Sequence, residues 1–354
     1  MQIGYMMMLP NLHETMTDAE MVRNELIIAE MAEEVGYDVI WCPEHHFDTY
    51  SMSPDNLQIL AYLAARTKTI KLGSAAIILP WWTQPARVAA KISMMDAMTN
   101  GRYLCGFGRG LARREYEGFN ISMDEARARF DESADQIIRA LKNGYIEGDG
   151  PYFPQKRTDI HPRPSHDLKD RLYSVAMSPE SAKQIAIHDT RMMTFIQFSI
   201  DKHLPNIEIY RAEYTKNFNK TPPPPLLIDF SYCHDDAGVA EEMATKYLSA
   251  NYLSILQHYE FMSGHLADIK GYEAYGAASE FLNSLGMEAA VSDYVSHQAW
   301  GTPQQILDRL EKRRQVLGDF EWNSIVSYAG MPYDEVEKSM RLIGEKVLPE
   351  IRTW

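Results

Sequence analysis

Glu44-His45-His46 sets one carboxylate beside two imidazoles. Imidazole is the side chain whose ordinary pKa lies nearest neutrality, so a histidine at a ligand site can take up and return protons at physiological pH. The residues just before it, Val39-Ile40-Trp41-Cys42, read as a buried strand, because β-branched and aromatic side chains suit a sheet covered on both faces. The triplet then falls at the strand's carboxyl end, the edge at which α/β folds bind ligands. Neighbouring histidines on an extended segment project to opposite sides and rarely share a metal. There is also no C-x-x-C pair and no His-x-His in the first strand, so no metal is expected.

A second group has the chemistry of anion binding. Gly106-Phe107-Gly108-Arg109-Gly110 follows a strand but lacks the Gly-x-Gly-x-x-Gly dinucleotide spacing. Its glycines permit close approach, and Arg109 supplies a planar cation suited to phosphate. Ser178-Pro179-Glu180-Ser181 is a cap followed by a first-turn proline. Ser178, Ser181 and the free N–H groups of that helix start form a second anion site. The two together predict one phosphate cradle.

These groups need a scaffold, and the chain supplies a regular one. Its 354 residues are 45% apolar and 24% charged, ordinary for a globular protein. The net charge of −14 argues against nucleic acid or an anionic membrane as partner. No apolar run is long enough to span a bilayer, and no secretory signal is visible. Three cysteines, all in predicted strands, read as reduced thiols of a cytoplasmic protein. Strands are expected at Gln2–Leu9, Val39 onward, Ile70–Leu79, Arg102–Gly106, Leu172–Ala176, Met192–Ile196, Leu226–Cys233 and Ser324–Ala329. Helices alternate with them. They open at the Thr17–Glu20 capping box, at Ser53-Pro54, near Pro85, at Asp124, at Ser178, near Asp235, at Thr302 and at Asp334. Eight strands alternating with helices predict an α/β fold, a (β/α)8 TIM barrel, as a single domain over residues 1–354. Segments at about 145–170 and 262–301 break the rhythm as insertions, and the second is the candidate lid. Met8, Phe47, Trp81 and Trp82 are the candidate substrate wall.

The sequence resembles the bacterial luciferase-like flavin-dependent monooxygenases, with a look closer to diketocamphane-type oxygenases than to light-emitting subunits. The resemblance rests on Glu44-His45-His46-Phe47 after strand two and Gly73-Ser74-Ala75-Ala76-Ile77-Ile78-Leu79-Pro80 in strand three. Arg109-Gly110-Leu111 after strand four, and a tail from Gly301-Thr302-Pro303 to Val347-Leu348-Pro349, complete it. It spans nearly the whole chain and is carried by the ordered set of motifs.

The resemblance implies roles. His45 matches the catalytic histidine, with Glu44 beside it. Ala75–Ala76 matches a non-prolyl cis peptide lying against a flavin ring. Gly108 and Arg109 match one side of the phosphate site, and Met177, Ser178 and Ser181 the other. Two departures stand out: luciferases proper have a reactive cysteine at the position of Gly108, and the position of Met177 is often acidic. Both argue against light emission. The implied reaction is two-component. A separate NAD(P)H-dependent reductase delivers reduced FMN (FMNH2), which reacts with O2 to a C4a-peroxyflavin and oxygenates a small apolar or cyclic substrate by hydroxylation or a Baeyer–Villiger step. A homodimer through the first helices is also implied. The alternatives are an F420-dependent oxidoreductase on the same barrel and a non-catalytic flavin-binding protein.

Overall fold

A computed structural model describes residues 1–13 and 15–354. Eight parallel strands close into a barrel. In chain order they are Ile3–Met6, Val39–Cys42, Lys71–Ser74 resuming as Ile77–Ile78, Tyr103–Gly108, Leu172–Val175, Arg191–Phe195, Leu226–Cys233 and Glu321–Ile325. Each pairs with the next, the first with the second at Gly4↔Val39, and the first and eighth close the ring at Gly4↔Asn323. Side chains fill the interior: Trp41 meets Tyr173 edge-on at 5.1 Å. Glycine makes that packing possible, since a Cβ on Gly73 would sit 2.1 Å from the Trp41 ring.

Most helix boundaries follow local chemistry. Thr17 and Glu20 form the expected capping box, and the first helix ends at Gly36 with φ +102°. The second helix, Asn56–Arg66, is capped by Asp55 and not by Ser53. Ser53 is buried instead, and its carbonyl accepts the N–H of His45 at 3.2 Å. Among the described residues, no helix is long and apolar enough to cross a membrane.

Two expectations need correction, and both predicted insertions turn out to carry secondary structure of their own. The third strand is interrupted: Ala75–Ala76 is a cis peptide, and pairing to the fourth strand resumes only at Ile77↔Phe107. The eighth strand lies at Glu321–Ile325, earlier than Ser324–Ala329. Glu321 and Asn323 are buried polar residues, so an apolar run locates that strand too late. The 145–170 segment holds an antiparallel hairpin, Tyr145–Gly148 with Gln155–Asp159. Its second strand is nearly all polar and largely exposed, so no alternating pattern marks it. Finally, the 262–301 segment is mostly helical, with helices at Glu273–Leu285 and Met287–His297 and a short strand, Ala299–Gly301, against the seventh barrel strand.

Candidate active site

Glu44 is buried just beyond the second strand. Its carboxylate accepts the Ile78 N–H at 3.0 Å and the indole N–H groups of Trp81 at 2.6 Å and Trp82 at 3.0 Å. His46 Nε2 lies 3.1 Å away. Glu44 therefore ties the chain after the cis peptide to the end of the second strand. Trp81 and Trp82 serve this tie and do not line the cavity at the barrel mouth. Phe47 also lies outside it, 61% exposed. Of the four candidate wall residues, Met8 lines the cavity, with Glu44, His45, Ala75, Ala76, Gly108, Arg109, Met177 and Ser181.

His45 belongs to a separate network. Its Nδ1 is 3.1 Å from Glu115 Oε1, which also accepts the His46 backbone N–H at 2.7 Å. Glu115 sits on a short helix, Arg113–Gly118, that follows the fourth strand. Burial pushes its carboxyl up, but His45, His258 and the His46 N–H outweigh burial and hold it below its ordinary value. An ionised carboxylate can only accept. When His45 is neutral its hydrogen is therefore on Nδ1, and Nε2 is the atom left to exchange a proton.

A second imidazole stands beside the first. His258 ends the helix Ala237–His258, with its ring 5.1 Å from that of His45 and nearly perpendicular to it. Asp48 Oδ2 is 2.9 Å from its Nδ1, and Tyr50 stacks on its face at 4.5 Å. The bond to His258 helps hold the Asp48 carboxyl down at about 2. Burial pushes the His258 imidazole below its ordinary value. No metal was expected from the sequence, yet His45, Glu115 and His258 each bring a donor atom to within 4.8 Å of the others.

The other end of the cavity is built for an anion. Ser178 caps the helix Pro179–Ile187, its hydroxyl accepting the Ser181 N–H at 3.2 Å. Ser181 Oγ accepts from Arg127 Nη2 at 2.9 Å and from Ser178 Oγ at 3.0 Å. Arg109 lies with its guanidinium 3.9 Å from the centre of the Tyr272 ring. Arg109 Nη1 and Arg127 Nε are buried and have no hydrogen-bond partner among the described residues, although Glu180 Oε1 lies 3.6 Å from Arg127 Nε and Asp131 Oδ1 3.9 Å from its Nη1. Burial, and next the charge of Arg109, lower the pKa of Arg127. Two like charges held together with unspent N–H groups suit a phosphate dianion, so the residues fit the phosphate of a flavin mononucleotide. Gly108 packs tightly beside them: a Cβ there would lie 2.7 Å from Ile78 and 3.2 Å from Ala76. Met177 turns its sulfur toward Thr194 and Phe195 N–H at 3.2 Å each. Tyr272, from the 262–301 segment, covers Arg109 and donates to the Gly110 carbonyl at 2.8 Å.

The sequence reading missed Glu115, Arg127 and His258. Glu115 lies six residues beyond Arg109 in the sequence, another acid just past a strand end. Arg127 sits in an amphipathic helix and His258 ends a long one, and nothing local in the sequence marks either as a site residue.

The chain belongs to the luciferase-like monooxygenase family, which it matches over residues 1–319. It is 23% identical to the alkanal monooxygenase alpha chain of Photorhabdus luminescens, over 95% of this chain and 94% of that one. It is also 23% identical to the oxygenase component of the flavin-dependent trigonelline monooxygenase of Acinetobacter baylyi, over 94% and 91%. The fold is shared with the monooxygenase RslO1 of Streptomyces bottropensis (TM-score 0.81, 24% identity, 99% and 100% covered). It is shared too with the oxygenating constituent of 3,6-diketocamphane monooxygenase of Pseudomonas putida, solved with FMN (0.76, 16%, 99% and 98%). An F420-dependent secondary alcohol dehydrogenase has the same fold (0.70, 17%, 99% of both chains).

Proposed function

We propose that this chain is the oxygenase component of a two-component monooxygenase that uses reduced FMN and O2, with a separate reductase supplying the flavin. One observation carries the reading: a single cavity is lined both by the buried, incompletely bonded guanidinium of Arg109 and by a carboxylate-held histidine, His45, with a second guanidinium, Arg127, bonded to the lining Ser181. Arg109, Arg127, Ser178 and Ser181 would hold the phosphate, and Ala75–Ala76 with Gly108 would offer backbone to the ring. Bound reduced FMN supplies the electrons that activate O2. Glu115 keeps the Nδ1 hydrogen of His45 in place, so Nε2 moves the proton. Tyr272 shields the cradle from water, and the 262–301 segment is the lid.

The substrate is small and uncharged. Glu44 spends both its oxygens on protein donors, Glu115 Oε1 is taken by His45 and the His46 N–H, and Arg109 belongs to the phosphate end. The remaining wall is largely aromatic and aliphatic, with Tyr50, Phe195, Phe230, Tyr259 and Tyr294 prominent. That suits an apolar or cyclic molecule, oxygenated by hydroxylation or a Baeyer–Villiger step. Two copies pair through the first three helices, which leave Ile27, Tyr62, Met94 and Met98 exposed.

The test is anaerobic. Reduced FMN is mixed with the protein, then with oxygenated buffer, and the return of oxidised-flavin absorbance is followed. A delay relative to free flavin, shortened in His45→Ala, supports the reading. Reoxidation at the protein-free rate, or turnover sustained by reduced F420 in place of FMN, overturns it.

A further inference from the structure

We propose that His45, Glu115 and His258 together form a binding site for a divalent transition-metal ion of the zinc class. Two imidazoles and a carboxylate are a donor set that zinc accepts. His45 Nδ1 and Glu115 Oε1 are already 3.1 Å apart. Donors about 2 Å from a tetrahedral zinc are separated by roughly 3.3 Å, so this pair already spans one edge of the polyhedron. All three donor atoms lie within 4.8 Å of one another, so closing the site requires a contraction of at most about 1.5 Å.

The surroundings of His258 point the same way. Its Nδ1 is held by Asp48, and Arg114 pairs with the same Asp48 oxygen. An ionised Asp48 only accepts, so His258 carries its hydrogen on Nδ1 and presents a bare lone pair on Nε2. Carboxylate–histidine pairs of this kind orient metal-ligating imidazoles and raise their basicity. Tyr50 stacks on the ring and fixes its plane. His258 is almost wholly buried, and its Nε2 has no partner among the described residues. Burial also favours the neutral imidazole, the form that binds a metal.

The chemistry balances without a redox step. The ion takes the place of the hydrogen between His45 Nδ1 and Glu115. That hydrogen moves to Nε2 of His45, so neutral His45 ligates with no net proton release. A water completes the fourth position. Occupancy removes Nε2 of His45 as a proton acceptor, so the ion inhibits turnover. This last consequence rests on the proposed function; binding itself does not.

The experiment needs no flavin. Chelator-stripped protein is titrated with zinc chloride against a chromogenic zinc indicator, and its melting temperature is followed in parallel. One zinc per chain should bind at micromolar or better affinity and raise the melting temperature. His258→Ala should weaken binding at least tenfold and abolish the shift, and Asp48→Asn should weaken it about tenfold to a hundredfold. Each variant is first checked for native circular dichroism. If His258→Ala does not fold, His258→Gln with wild-type spectra takes its place. No stoichiometric binding to the wild type, or binding unchanged in the His258 variant, overturns the proposal. Zinc binding without inhibition leaves the site standing and counts against His45 as the proton carrier.

Discussion

Arg109 and Arg127 give the cleanest separation of cofactor roles at the level of single residues. Each holds a buried N–H without a hydrogen-bond partner among the described residues. Hydrogen bonds to a charged group contribute about 1.5–3 kcal/mol, so Arg127→Ala should weaken FMN binding by roughly tenfold to a hundredfold. Riboflavin, which has no phosphate, should bind the variant and the wild type alike. Equal losses for both ligands, by fluorescence titration, would place Arg127 outside the phosphate site. Glu115 is the companion case. Glu115→Gln keeps the shape but no longer requires the hydrogen on Nδ1 of His45. Turnover should fall roughly a hundredfold with FMN affinity unchanged, which stopped-flow and titration on one sample will separate.

Glu44 makes its contribution through an element. Its one carboxylate gathers the backbone of Ile78 and two indoles, and so fixes the chain that follows the interrupted third strand. Glu44→Ala strands these buried donors and should cost roughly 3–5 kcal/mol, measured by urea unfolding. A loss below about 1 kcal/mol would mean the segment is held by packing alone. Glu25, on the first helix, couples stability to pH. It is fully buried, and burial lifts its pKa from 4.5 to about 7 against the bonds from Ser327 and Tyr333. A carboxyl raised in the fold favours the folded state while protonated. Its contribution is complete below about pH 4.5 and is lost as pH rises through about 7. Between pH 5 and pH 8 the wild type should lose roughly 2–3 kcal/mol from this source, and Glu25→Gln should flatten that slope. An unchanged slope in the variant would assign the dependence to another group.

The whole molecule adds a statement about assembly. Ile27, Tyr62, Met94 and Met98 are large apolar side chains left exposed on the first three helices, with Ile27 at 63%. If two copies meet there, Ile27→Glu with Met94→Glu should convert a dimer to a folded monomer in sedimentation velocity. A wild type that sediments as a monomer contradicts the pairing outright.

The sequence by itself determined the barrel, the caps at Thr17, Ser178 and Thr302, and the strand ends that hold His45, Arg109 and Ser178. Those features follow from local rules: apolar runs mark strands, Thr17 with Glu20 marks a helix start, and parallel α/β architecture sends ligands to one edge. It did not reveal which acid serves His45. Glu44 adjoins His45 in the chain, but its carboxylate is spent on Ile78 and the two tryptophans, and Glu115 from two strands away takes the role. Nor did it reveal that His258, 210 residues beyond its partner Asp48, stands against His45. Trp81 and Trp82 looked like a substrate wall because type and position cannot tell where an indole N–H finds its acceptor. Only the closed ring decides such pairings. Closure brings residues distant in the chain within hydrogen-bonding reach, and burial then makes each unmet polar atom costly enough to select its partner.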